Sequence, residues 1–265
     1  MPGSIVKSKL RIAFTGWQAA AVWAGLLVSA GAATWKSGLV RSLFNQQSAI
    51  AYRIIQTGKG EVKQFLLPDS SVIVLNANSI LEYHPDFTTH RHLRLHGEAL
   101  FTVTRDKAHP FTVQTTDSLA TTVLGTRFNI QSYDKGQETR ITVVSGIVAV
   151  NKGSQWLDTL TRAQAIRYQK ISRSFTISHD VNTESITGWT KGEWDYEHLH
   201  FNDLVILLQN HYGITLTSKR DTEQLQTSVS VNFNSKQPAN GILEVFCSFA
   251  GCSFRQTDPT TYEIY

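Results

Sequence analysis

The feature that most restricts this chain is the spacing of its turn residues. From Thr57 onward, short apolar runs are cut off by proline, glycine, aspartate or asparagine before a helix could develop. Gln64–Leu67 stops at Pro68-Asp69-Ser70-Ser71, Val72–Leu75 follows, and Ser79–Tyr83 ends at His84-Pro85-Asp86. The same grammar continues through Arg91–Leu95, Gly97, Ala99–Thr104, Phe111–Gln114, Ala120–Leu124, Gly125, Arg127–Gln131, Thr139–Val144 and Gly146–Val150. β-Branched and aromatic residues fill these runs, and a 3.6-residue period is almost absent, so they predict strands. Residues 57–176 are expected to form an all-β domain, solenoid- or sandwich-like. In it Gly97, Gly125 and Gly146 would relieve tight turns between strands while alternating apolar residues form the packed layers.

Beyond a polar linker at 177–188, which contains Asp180-Val181-Asn182-Thr183, the pattern changes. Leu199, Leu204, Leu207 and Leu208 fall at helical spacing, with Asn202-Asp203 offering an N-cap and Tyr212-Gly213 a left-handed C-cap. A strand at Ile214–Thr217, another at Ser228–Phe233, a helix around Pro238–Phe249 stopping at Gly251, and strands at Ser253–Gln256 and Thr261–Ile264 complete the reading. Residues 189–265 are thus expected to be a compact α/β module. Its exposed strand edges are expected at Ser228–Phe233 and Thr261–Ile264.

At the other end, Ile12–Trp35 is a run of twenty-four residues without a charge. At about 1.5 Å per residue it covers the roughly 30 Å hydrocarbon core of a bilayer. Trp17 and Trp35 stand near its ends, where amphipathic rings prefer the headgroup level. A retained transmembrane helix is one reading. A cleaved signal peptide is the other, with Lys7, Lys9 and Arg11 as its basic region and Ala30-Gly31-Ala32 as the cleavage site. Three basic residues precede the run and two, Lys36 and Arg41, follow closely, which points the N-terminus inward. The organisation expected is a short cytoplasmic stretch 1–11, a span 12–35 in the inner membrane, a connector 36–56, and everything later outside the cytoplasm. Of 25 Lys and Arg, 22 then face 21 Asp and Glu, close to balance. No basic stripe follows the run, which argues against a direct nucleic-acid partner.

Candidate chemistry is thin. His90, His92 and His96 would share one face of an extended strand, with His84 upstream, Glu98 on the same face, and His198 and His200 in the second module. No Cys or acidic residue completes a recognisable ligand set, so a solvated polar strand face is the simpler account. Asp69, Asp86 and Glu98 lie nearest the strand motifs and are read as turn and edge residues. No phosphate loop, nucleophile elbow or Ser, His and Asp arrangement stands out. Cys247 and Cys252, five apart around Gly251, read either as two buried small side chains or, in an oxidising compartment, as a disulfide. No catalytic, cofactor-binding or metal-binding residue is assigned, and no enzyme activity is expected.

Three stretches in order resemble the periplasmic region of FecR-type anti-sigma factors. They are Leu66-Leu67-Pro68-Asp69-Ser70-Ser71-Val72-Ile73-Val74-Leu75-Asn76-Ala77-Asn78-Ser79, Leu93-Arg94-Leu95-His96-Gly97-Glu98-Ala99-Leu100-Phe101-Thr102-Val103, and Thr122-Val123-Leu124-Gly125-Thr126-Arg127-Phe128-Asn129-Ile130. Trp189–Trp194 and Leu204–Tyr212 resemble the C-terminal module of the Bacteroidetes-type members, similar to the short N-terminal domain of secretins and TonB-dependent receptors. The chain departs from the family pattern where Ser70 replaces the usual glycine of Pro-Asp-Gly-Ser and where Thr161-Arg162 replaces Pro-Gly. The resemblance implies regulation of an extracytoplasmic-function sigma factor, with a receptor's periplasmic signalling domain as the outer partner. Residues 1–11 are shorter than the family's cytoplasmic segment, so either the start site shortens the chain or another partner supplies that arm. An envelope binding or scaffold module is the alternative.

Overall fold

The computed structural model describes residues 51–265 apart from 198, 226, 228 and 229. The expected span 12–35 and most of the connector lie outside the described residues. Among the described residues no helix is long and apolar enough to cross a membrane.

Thirteen strands form one hydrogen-bonded sheet that folds about a shared strand. That strand is β5 (His92–Thr102), eleven residues long, counted after β1 (Arg53–Gln56), β2 (Lys63–Leu66), β3 (Val72–Leu75) and β4 (Ile80–Tyr83). Its first half pairs antiparallel with β4 and parallel with β6 (Phe111–Thr115). Its second half, Gly97–Thr102, pairs antiparallel with β3 and with β8 (Arg127–Ser132). One layer therefore runs β1-β4-β5-β6, then β7 (Leu119–Val123), β10 (Ile147–Lys152) and β11 (Gln155–Thr161). The other runs β2-β3-β5-β8, then β9 (Glu138–Ser145), β12 (Ala165–Gln169) and β13 (Phe175–Ser178).

The period-2 alternation places Ile73, Leu75, Leu93, Leu95, Phe101, Phe128, Ile130, Val148 and Val150 in one core shared by both layers. Phe101 stacks on Phe128 at 4.9 Å and meets Phe111 edge-on at 6.1 Å. The domain is all-β, as the turn spacing predicts, but Gly97 is not in a turn. It sits mid-strand where β5 leaves one layer for the other, at φ +101. Gly125 and Gly146 do lie between strands. The Ser70 turn has φ +66, the left-handed geometry that the family's glycine would adopt freely. The stretch expected as connector ends in strand β1, which pairs with β4.

After β13 the stretch 177–188 carries α1 (Thr183–Thr187), whose amides at Glu184 and Ser185 donate to Asn182 Oδ1. β14 (Glu193–Tyr196) then pairs with β16 (Val231–Asn234). α2 (Phe201–Leu207) continues into a π-helical turn, Leu208–Tyr212, closed by Gly213 at φ +68. The helix starts one residue before the expected cap. His200 is the cap residue, and Asp203 reaches back to accept from its amide at 3.4 Å. β15 (Thr215–Ser218), α3 (Ala239–Ala250), β17 (Phe254–Asp258) and β18 (Thr261–Ile264) finish the α/β module. β18 lies between β15, its parallel partner, and antiparallel β17. Thr261–Ile264 is therefore a central strand and not the expected edge, because β15, more than forty residues upstream, covers its other side. The described part of the other expected edge lies in β16, whose one ladder partner among the described residues is β14.

The module buries Leu204, Leu207, Leu208, Phe233, Ile242, Leu243, Phe246 and Ile264, and Leu100 of β5 joins the same cluster. Val74 and Val144 pack against it from neighbouring strands. The outer face of one β layer is thus the floor on which the module sits.

Candidate functional site between the sheet and the C-terminal module

Strand register sets out two rows on that floor. Val74, Leu100, Asn129 and Thr142 stand in line across β3, β5, β8 and β9, and Glu98, Gln131 and Arg140 form the next row. The first row carries the apolar contact, while the second places ionisable groups under the module. Glu98 is 6% exposed. Its Oε1 accepts from Asn129 Nδ2 at 2.9 Å and its Oε2 from Asn76 Nδ2 at 2.8 Å. The module meets this group through Trp189, whose indole N–H donates to Asn129 Oδ1 at 3.3 Å. Beside it the buried Tyr133 hydroxyl donates to Ala77 O at 2.9 Å.

Around these groups lies a cavity of about 80 Å³, lined by Glu98, Asn129, Tyr133, Arg140, Trp194 and His211 among others. That volume takes a few waters or a small ion. The charges are arranged in opposition. Burial pushes the Glu98 carboxyl above its ordinary 4.5, while the Asn129 and Asn76 amides pull it back. Burial also raises Asp203, against the attraction of Arg140. Burial lowers Arg140, but Glu138, bonded at 2.7 Å, and Asp203 more than offset this and raise it. His211, edge-on to Trp194 at 4.4 Å, is held down at about 4 by burial alone.

These shifts have opposite signs in stability. The Glu98 pKa is raised on folding, so the folded chain holds that proton more firmly. Its contribution is full at acid pH and is lost as pH rises above 4.5. The His211 pKa is lowered, so its contribution is present above 6.5 and is lost as pH falls towards 4, by about 3 kcal/mol at most. Urea midpoints measured from pH 4 to pH 7.5 should therefore respond oppositely in two variants. His211→Gln should remove the acid-side loss, and Glu98→Gln the loss on the neutral side. Parallel pH profiles for wild type and both variants would contradict the assignment.

One further connection leaves the cavity. Asn210, in the π-helical turn, accepts at its carbonyl from the Gly60 amide at 2.9 Å and at its side chain from Asn78 Nδ2 at 3.3 Å. Asn78 N–H also donates to Gly58 O at 3.1 Å. The turn after β1 is thereby clasped by the module. An extra residue in a helix of this kind re-aims side chains, here Asn210 inward and His211 against Trp194.

The residues singled out from sequence fall elsewhere. The His84 and His90 rings lie 4.8 Å apart near Asp86, whereas His96 faces Asp134 at 3.2 Å, His92 is exposed, and His198 is outside the described residues. Among the described residues no group of three or more His, Cys, Asp or Glu is placed to hold a metal ion. Asp69 and Asp86 are turn residues as read, with Asp69 Oδ1 accepting from Ser71 N and Asp86 from Thr89. Glu98 is not at a turn or an edge: it is mid-strand and buried, because the module that covers it lies some ninety residues further on. Asn76, Asn129, Arg140, Trp189 and Asn210 were missed. For Asn129 and Arg140 the one sequence signal is a polar residue on an outward strand position, while Asn76 follows a strand and Trp189 and Asn210 lie in helical turns, where no such signal exists.

A scan against protein-family models matches residues 53–149 to the FecR protein family. No curated protein sequence matches the chain. Two crystal structures of candidate anti-sigma factors from Parabacteroides distasonis, at 2.50 and 1.65 Å, share the fold. The first superposes with a TM-score of 0.73 at 22% identity, over 81% of this chain and 99% of its own. The second superposes with a TM-score of 0.71 at 22% identity, over 80% of this chain and 98% of its own. The matched stretch runs from β1 into β10 and includes the shared strand β5 and Glu98, so this part of the chain is similar to the FecR protein family.

Proposed function

We propose that this chain regulates a sigma factor by protein contacts, as a single-pass inner-membrane protein whose residues beyond 36 lie in the periplasm. The outer partner is the signalling domain of a TonB-dependent receptor, and the inner partner is the sigma factor, reached directly or through an additional cytoplasmic arm. The FecR match and the P. distasonis folds support the regulatory part. The membrane placement rests on the charge-free run 12–35.

The observation that carries the reading is the clasp between Asn210 and the Thr57–Gly60 turn. β1 is the described strand nearest the N-terminal segment, and among the described residues β4 is its one ladder partner. A partner that displaces the module acts on β1 through that turn. β16 offers such a partner a strand edge, whose N–H and C=O groups a partner strand can satisfy.

The test uses the full chain in cells carrying a reporter driven by the neighbouring sigma factor. Deleting the gene should uncouple the reporter from the receptor's signal. Asn78→Ala removes a hydrogen bond of about 1 kcal/mol and should shift the response about fivefold at unchanged protein level. A reporter that responds identically with and without the chain would leave the scaffold reading in its place.

A further inference from the structure

α3 ends in a tight reversal. Gly251 takes φ +63, and the amides of Gly251 and Cys252 both turn back to Cys247 O, the latter at 3.1 Å. The reversal lays Cys252 over the last turn of the helix, with its Sγ 2.8 Å from Cys247 Sγ. A covalent S–S bond is about 2.05 Å long, so closure requires a movement of less than about 1 Å. Both cysteines are free thiols in this structure, Cys247 buried and Cys252 half-buried. No other cysteine occurs in the sequence to compete for either.

We propose that Cys247 and Cys252 form an intramolecular disulfide that staples the end of α3 to the start of β17, made by exchange with a donor disulfide. Cys252, the more accessible sulfur, loses its proton and attacks the donor, expelling one donor thiol and leaving a mixed disulfide. Cys247 then loses its proton, attacks Cys252 Sγ and expels the second donor thiol. Two S–H groups are oxidised and one donor disulfide is reduced to two thiols, so the exchange balances. In the reduced chain burial, and then the hydrogen bond with Cys252, raise the Cys247 thiol above its ordinary value, which agrees with the more accessible Cys252 attacking first.

The staple acts on a defined part of the module. Cys252 is followed by Ser253, whose N–H and C=O both pair with Tyr265, and Arg220 donates to Gly251 O at 2.6 Å. A bridge here ties the helix C-terminus to the three-stranded sheet at the point where both would otherwise fray.

The experiment takes the full chain, purified in detergent and reduced with dithiothreitol, and exposes it under native conditions to oxidised glutathione. Intact mass and maleimide labelling after denaturation should show the loss of two hydrogens and no free thiol, in a monomeric species on non-reducing gels. The bridged chain should melt roughly 4–8 °C above the reduced one. Cys247→Ser and Cys252→Ser should each abolish the response of melting to dithiothreitol. Two thiols still open to maleimide, two stable glutathione adducts, or bridging only between chains would overturn the proposal.

Discussion

Gly97→Ala is expected to cost about 4 kcal/mol or more, most of the stability of a chain near the lower end of the ordinary range. A Cβ at this position would lie 2.2 Å from Ser79 Oγ, 2.6 Å from Ser79 Cβ and 2.8 Å from Ser79 Cα. The first contact could be relieved by a rotamer change, but the last is backbone in the adjacent turn. Ser79 cannot withdraw cheaply, because its hydroxyl accepts from Glu98 N at 2.9 Å and donates to Ala77 O at 3.1 Å. The left-handed φ of +101 adds a further penalty for any L side chain. Gly153→Ala separates the two effects. It too has a positive φ, +57, but nothing lies within 4 Å of its added Cβ, so about 1 kcal/mol should suffice. Urea unfolding of both variants checks this, and equal losses would show that close packing at the crossover is not what excludes a side chain.

The second large effect is expected at Arg91, which is 2% exposed. Its guanidinium meets Asp69 Oδ2 through Nη2 at 2.6 Å and Nε at 2.8 Å, and donates to His109 O at 2.9 Å and Thr104 O at 2.8 Å. The planar fork satisfies a carboxylate and two carbonyls at once, and it lies over the Phe111 ring at 5.2 Å. Arg91→Met keeps the volume and strands all three acceptors, with an expected loss of about 3–5 kcal/mol. Arg91→Lys should recover little, since an ammonium cannot reach the three sites in their fixed geometry. Asp69→Asn combined with Arg91→Met should cost clearly less than the two single losses added. Strict additivity in the denaturation free energies would mean that the pair is not a unit.

Asp69 also shows where sequence reading stops. Its place after Pro68 identifies a turn, because turn chemistry is local. Its partner is twenty-two positions away and reads only as the first residue of a strand. The strands themselves were legible because burial of one face writes a period of two into each run. The helices of the C-terminal module were legible through leucine spacing and the closing glycines, Gly213 and Gly251. What failed was everything decided by a remote neighbour. β5 read as two runs interrupted by Gly97, since no local signal says that a strand changes layers there. Glu98 read as an edge residue, since nothing near it announces the module that covers it. Thr261–Ile264 read as an edge, because its parallel partner is distant in sequence. The Cys247 and Cys252 pair allows two readings in sequence because the separation of the two free sulfurs is set by the Gly251 reversal.

The shared strand has a consequence in time as well as in space. β5 needs β3 and β4, which precede it, and also β6 and β8, which follow it, before either layer can close. Its ladder with β8 joins residues up to thirty-five apart in sequence, and β7 reaches β10 across a similar gap. Such pairings must bear loop-closure entropy before they return contact energy, which places folding in the slow, millisecond-to-second class of β topologies. As the chain becomes available for folding from its N-terminal side, the second half of β5 waits with an open edge until Arg127–Ser132 follows. During that interval Ala99, Leu100 and Phe101 are available to any other extended chain, which makes this segment the most vulnerable to misassembly during biosynthesis.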